Sequence, residues 1–117
     1  MNVAIRRVYD PPQANEGMRI LVDRLWPRGV RKSDLDYDRW EKDIAPTPAL
    51  RKWFGHDPQR WEDFDRKYRE ELARPQARAR LNEIAHEAGT RRITLLYAAR
   101  DPQHNHAVIL ADVLSAL

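Results

Sequence analysis

No cysteine occurs in the 117 residues of the chain. That excludes thiol nucleophiles, disulfides, Cys-ligated zinc and iron–sulfur clusters. Glycine is scarce as well. The four glycines, Gly17, Gly29, Gly55 and Gly89, stand too far apart for a Walker loop or a G-x-G-x-x-G turn. The only serines are Ser33, which opens a helix-capping string, and Ser115, in the last turn of the chain. Neither is placed as the nucleophile of a Ser-His-Asp hydrolase. No H-E-x-x-H is present, and no run of about 18 apolar residues that would cross a membrane. The opening MNVAIRRVYD lacks the apolar stretch of a signal peptide, so a cytoplasmic protein with no membrane partner is expected. The net charge of +3 is a small surplus. It argues for a nucleic-acid surface only if the cations cluster.

What is present is the make-up of a folded domain. Hydrophobic residues are 42% and charged residues 33% of the chain, within the range of globular proteins. The length suits one domain over residues 1–117. Val3 to Tyr9 is rich in β-branched and aromatic residues, ends on Asp10-Pro11-Pro12, and reads as a strand. Residues 10–18 are a loop with no helical pattern, and Arg19 to Leu25 is a second strand. Without a crossover helix between them, a hairpin-like antiparallel pairing is the expected arrangement. Ser33-Asp34-Leu35-Asp36 resembles a capping box before a short helical piece, about Asp34–Trp40. Thr47 caps a helix that carries Leu50, Trp53 and Phe54 and stops at Gly55. Asp57-Pro58 starts a helix over about 58–73, with Trp61, Phe64, Tyr68 and Leu72 on one stripe. Pro75 opens another that ends before Gly89. Ile93 to Ala98 is nearly all apolar, as a strand buried on both faces would be. A last helix follows in HAVILADVLSAL. The expected fold class is α/β, a single small domain with a short mixed sheet of about three or more strands packed with several helices.

Three stretches carry chemistry. In VDRLWPRGVRK, Asp23, Arg24, Trp26, Arg28 and Gly29 follow directly on a strand. Ligands in open α/β sheets sit beyond the carboxyl ends of strands. An arginine fork grips carboxylate or phosphate in two places at once. Asp23 would orient that fork or accept a proton, and Trp26 would cover a flat ligand. The structural alternative is an ion pair, a core tryptophan and a plain turn. In ARDPQHNH, Asp101, His104, Asn105 and His106 lie between the best strand and the last helix, whose first turn has free N–H groups. Here the alternative is Asn105 as cap with both histidines in water. His104 and His106 are two residues apart, which does not place them on one helix face, and no metal site is expected. In PTPALRKWFGHD, Arg51 and Lys52 sit beside Trp53 and Phe54. Arg51 is a candidate for the lip of a cleft, and Lys52 reads as solvated.

These motifs together resemble the YeaO-like family, a bacterial domain of unknown function (DUF488). The resemblance runs through MNVAIRRVYDP, RILVDRLWPRGVRKSDL, APTPALRKWF, the segment from Phe64 to Leu72, and LLYAARDPQHNHAVILADVL. It implies an α/β fold and a bacterial cytoplasmic protein, and it brings no established activity. In the wider superfamily the segment matching Leu95–Ala107 typically reads LLC-A-E-x-D-P-x-x-C-H-R. Tyr97, Asn105 and Ala107 stand here in place of the two cysteines and the arginine, while Asp101, Pro102 and His106 match. If the broader group uses thiols, this chain cannot.

The reading that joins these stretches is an anion-binding cleft for a small phosphorylated or carboxylated molecule. Arg24, Trp26, Arg28, Gly29, Arg51 and Asn105 would bind the ligand, and Asp23, Asp101 and His106 would supply acid–base chemistry if there is a reaction. No cofactor or metal is expected. One rival is a nucleic-acid-binding module in which Arg24, Arg28, Arg31, Lys32, Arg51 and Lys52 track phosphates and Trp26 or Trp53 stacks on bases. Another is a protein-interaction domain without ligand that uses Trp26, Trp40 and Trp53. The oligomeric state is not legible.

Overall fold

The computed structural model describes residues 2–117. Its centre is β4 (Ile93–Tyr97), every residue of which is buried. Strand β1 (Val3–Arg7) pairs with one edge of β4 and β2 (Met18–Leu21) with the other; β3 (Arg39–Trp40) lies outside β2. The order is β1-β4-β2-β3 and all three pairings are parallel. An apolar strand such as β4 needs cover on both faces. Ile93, Leu95 and Tyr97 face the helices α1 (Pro48–Phe54), α2 (Trp61–Leu72), α3 (Pro75–Ala88) and α4 (His106–Ser115), as do Ile20 and Val22 from the neighbouring strand. Leu96 and Leu21 face the other way, into a smaller core with Val8 and Leu35. Among the described residues no α-helix covers that second face. Trp26, Val30, Tyr37 and Trp40 lean over it instead.

The helix boundaries follow their local signals. Thr47 Oγ1 accepts from Leu50 N at 3.3 Å, and Gly55 at φ 54° ends α1. Asp57 Oδ1 accepts from Gln59 N at 3.0 Å and opens a short 3-10 turn that leads into α2. Pro75 begins α3 and Gly89 caps it. Asn105 Oδ1 accepts from Ala107 N at 3.0 Å at the start of α4. Among the described residues no helix is long and apolar enough to cross a membrane.

Three expectations are corrected. The sheet is parallel rather than mixed, and β1 and β2 form no hairpin, because β4 lies between them. A helix is unnecessary in the β1–β2 connection because polar groups pin it. The buried Glu16 accepts from Arg19 Nη1 and from Gln13 N, both at 2.6 Å, and Thr94 Oγ1 donates to the Glu16 carbonyl at 2.6 Å. Gly17 holds φ +69° at this point, with Arg92 O where a β-carbon would stand. Secondly, β2 ends at Leu21, not Leu25. Thirdly, the region 34–40 forms only a 3-10 turn at Lys32–Asp34 and then joins the sheet as β3. Asp38 Oδ2 accepts from Arg19 N, and Asp38 N donates to Arg19 O, each at 2.8 Å. Ladder bonds with β2 outweigh a local helical preference, which amounts to about a few tenths of a kcal/mol per residue.

After β2 the chain turns onto the second face; after β4 it returns to α4 on the helical face. Two adjacent parallel strands whose continuations leave in opposite directions open a crevice at their carboxyl ends.

Candidate functional site

The crevice begins where the β2–β4 ladder stops. Val22 N still donates to Leu96 O at 3.1 Å. The next donor on that side, Ala98 N, finds Asp23 Oδ2 at 3.0 Å in place of a backbone carbonyl. Trp40 Nε1 donates to the Asp23 carbonyl at 2.8 Å and fixes the residue from behind. Asp23 Oδ1 is buried and makes no hydrogen bond. Its charge partner is His106 Nε2, 3.3 Å away. The same Nε2 lies 2.9 Å from the Val22 carbonyl. A carbonyl only accepts, so Nε2 carries the proton, and Nδ1 is the lone-pair nitrogen of the neutral ring. Among the described residues Nδ1 has no hydrogen-bond partner.

Around this pair lies a cavity of about 580 Å³, within the range of small-molecule sites. Ala45, Pro46, Phe54, Phe64, Ala98 and Ala99 give it apolar walls. Arg28, Arg51 and Arg100 border it as exposed side chains. Among the described residues these three guanidinium groups have no hydrogen-bond or carboxylate partner, although the two acidic side chains of the cavity, Asp23 and Asp101, are close at hand. Both carboxylates are engaged elsewhere. Asp101 Oδ1 accepts from Gln103 N at 2.9 Å and His104 N at 3.1 Å, and Oδ2 meets His104 Nδ1 at 2.8 Å. The backbone N–H of Gln103, followed by the His104 side chain, holds the Asp101 carboxyl below its ordinary range. His104 in turn rests edge-on against Trp61, with ring centres 5.3 Å apart. Arg24 is a brace: Nε donates to Pro46 O at 3.2 Å and Nη2 to Ala45 O at 3.1 Å. The buried Asn105 donates from Nδ2 to Asp101 O at 2.8 Å and ties the loop to the start of α4. Beneath His106, the phenol of Tyr68 donates to Ile44 O at 2.6 Å, and burial pushes its pKa well above the ordinary value.

The structure thus brings Asp23, Arg24, Arg28, Arg51, Asp101, Asn105 and His106 to one cavity. It does not bring Trp26 or Gly29 there. Trp26 turns onto the second face, donates Nε1 to Val30 O at 2.6 Å, and packs edge-on against Tyr37 and Trp40 at 5.5 and 5.4 Å. Covering Leu21 and Leu96 buries more apolar surface than a place beside open solvent would. Gly29 forms an exposed turn at φ +76°. Of the acid–base candidates, His106 pairs with Asp23, whereas Asp101 pairs with His104. The tryptophans offered for stacking or for an interface are occupied within the chain. Lys32 lies over Trp26 and Trp40, and Arg60 and Lys67 lie over Trp53. Arg100 and His56 line the cavity and escaped the sequence reading. Arg100 had a usable signal, because it follows the best strand by three residues. His56 had none, as its φ of 57° is set by the way α1 ends. Among the described residues no group of three or more His, Asp or Glu could hold a metal ion.

A sequence profile described as the inactive DUF488-N3 subclade matches residues 2–117. The uncharacterized protein YeaO of Escherichia coli is 46% identical over 118 residues, covering 100% of both chains. Uncharacterized proteins of Mycobacterium bovis and Mycobacterium tuberculosis are 39% identical over 113 residues, covering 97% of this chain and 93% of theirs. No solved structure matches the chain. Full-length identity at this level, together with a profile match across the whole fold, makes the chain a member of the YeaO-like DUF488 family, in the subclade described as inactive.

Proposed function

We propose that this domain binds a small organic anion, a carboxylate, sulfonate or phosphate on a flat apolar body, and that binding rather than turnover is its role. The observation that carries this reading is the set of three partnerless arginines, Arg28, Arg51 and Arg100, around one apolar-walled cavity at the ends of β2 and β4. Unpaired guanidinium groups over apolar walls suit an anion with an apolar body, and charge-assisted hydrogen bonds to such a group are the strong kind. The profile's description as inactive supports binding without chemistry, as does the lack of cysteine and of a placed serine nucleophile. A cytoplasmic setting suits a chain without cysteine.

Calorimetric titration with benzenesulfonate tests the reading, since this anion is flat and fully ionised across the working pH range. Saturable binding is expected, and Arg28→Ala, Arg51→Ala and Arg100→Ala should each weaken it about tenfold, the lower end of what a hydrogen bond to a charged group contributes. Full affinity in all three variants would overturn it. Single-stranded DNA is the control: binding that collapses steeply between low and moderate salt would favour the phosphate-tracking alternative. A second reading rests on the free Nδ1 of His106 with Asp23 behind the ring, the arrangement of a general base. Turnover of a substrate that survives His106→Gln would remove it.

A further inference from the structure

The cavity is lined by two chemically opposite sets of groups, one exposed and one largely buried. Its exposed lining carries the unpaired guanidinium groups of Arg28, Arg51 and Arg100, next to an Asp101 carboxylate whose oxygens are already taken by Gln103 N, His104 N and His104 Nδ1. Its more buried lining, at Asp23 and His106, carries acceptors. Val22 O takes the Nε2 proton, so in the neutral ring Nδ1 is the lone-pair nitrogen, and among the described residues it has no hydrogen-bond partner. Behind the ring, Asp23 Oδ1 is buried without a hydrogen bond and faces the same Nε2 at 3.3 Å. A buried polar atom without a full partner calls for an explanation. Asp23 and His106 both line the cavity, and the carboxylate beside Nε2 raises the electron density at Nδ1 of the neutral ring.

From this polarity we infer that the ligand carries a hydrogen-bond donor, a hydroxyl or amino group, at the end opposite its anionic group, and that His106 Nδ1 reads it. The inference rests on the anion-binding reading above and narrows it to amino- or hydroxy-substituted aryl or heterocyclic anions. His106 is then the residue that sets specificity, and the arginines supply affinity. A site built to accept from a ligand O–H or N–H discriminates strongly against the analogue without it, because its own acceptor is left unpaired. The apolar analogue still gains from the arginines and from the walls of Phe54 and Phe64.

The test compares benzenesulfonate with its 3-hydroxy, 4-hydroxy and 4-amino derivatives at pH 7.5. At least one derivative should bind about tenfold more tightly than the parent. In His106→Phe, which keeps a ring of similar shape without the nitrogen, that preference should vanish while benzenesulfonate still binds. A parent that binds as tightly as, or more tightly than, all three derivatives would overturn the inference and leave the anion site standing. No binding of any of the four would bring down both. A preference retained in His106→Phe would move the donor contact away from this residue and overturn the assignment. Should His106→Phe fail to fold, the ring-nitrogen chemical shifts of His106 in the wild-type protein, with and without the hydroxylated probe, decide the same point.

Discussion

Two groups of arginines stand at different places on the same sheet and behave differently. Beside the β1–β2 connection and along the β3 edge, arginines are locked to buried carboxylates. Arg19 meets Glu16 at 2.6 Å, while Arg39 and Arg80 both grip Glu41 at 2.7 Å, Arg80 with two nitrogens. Around the cavity, Arg28, Arg51 and Arg100 grip nothing among the described residues. The contrast does not come from a local shortage of acids. Asp23 and Asp101 line the same cavity, but one completes the end of β4 and holds His106, and the other clips the 101–104 turn. Cations matched to carboxylates hold the chain together. Cations left over where two parallel strands diverge are available to something outside it.

The sharpest way to break the structural half of this contrast is Gly17→Ala. A β-carbon there would stand 2.0 Å from Arg92 O at a φ of +69°. Overpacking and left-handed strain together should cost about 3–5 kcal/mol, read as a lower midpoint in urea. Next comes Glu41→Gln. Glu41 is buried while its partners are partly exposed, so the loss should be about 2–3 kcal/mol, below the figure for fully buried pairs. On the cavity side the expectation reverses. Arg28→Ala and Arg100→Ala should change stability by less than about 0.5 kcal/mol, as surface substitutions do, while weakening benzenesulfonate about tenfold. A large stability loss in either would show that these cations hold the fold after all.

The smallest effect belongs to Asp101. Its carboxyl is held below the ordinary range in the folded chain, first by Gln103 N–H and then by His104. Such a group contributes stability that is complete at neutral pH and is lost as pH falls through its lowered folded value. Asp101→Asn should therefore flatten the acid limb of a thermal melt series below about pH 4, the usual carboxylate range, with little change at pH 7. An unaltered acid limb would show that the clip contributes nothing measurable.

Much of the local structure was legible because local chemistry causes it. Thr47, Asp57, Pro75, Gly55, Gly89 and Asn105 mark helix ends through bonds within a few residues. β4 declared itself by being apolar without interruption. The strand pairing was not legible, because the partner of β1 lies about ninety residues away, at Ile93–Tyr97, and the devices that replace a crossover helix are single polar contacts. Position after a strand pointed to Arg24, Arg28 and Asp23, and equally to Trp26, whose ring turns to the opposite face. Nothing in the string ARDPQHNH says which histidine meets which aspartate.

By itself the sequence determined where the four α-helices lie, that a cap opens α4, that thiol chemistry is impossible and which arginines follow a strand. These depend on neighbours in the chain and on composition. Only the tertiary structure decided that the strands run parallel around β4, that His106 faces Asp23 and that three arginines border one cavity without partners. Those outcomes depend on which distant groups compete for the same donors and acceptors, and that competition is settled only when the strands are side by side.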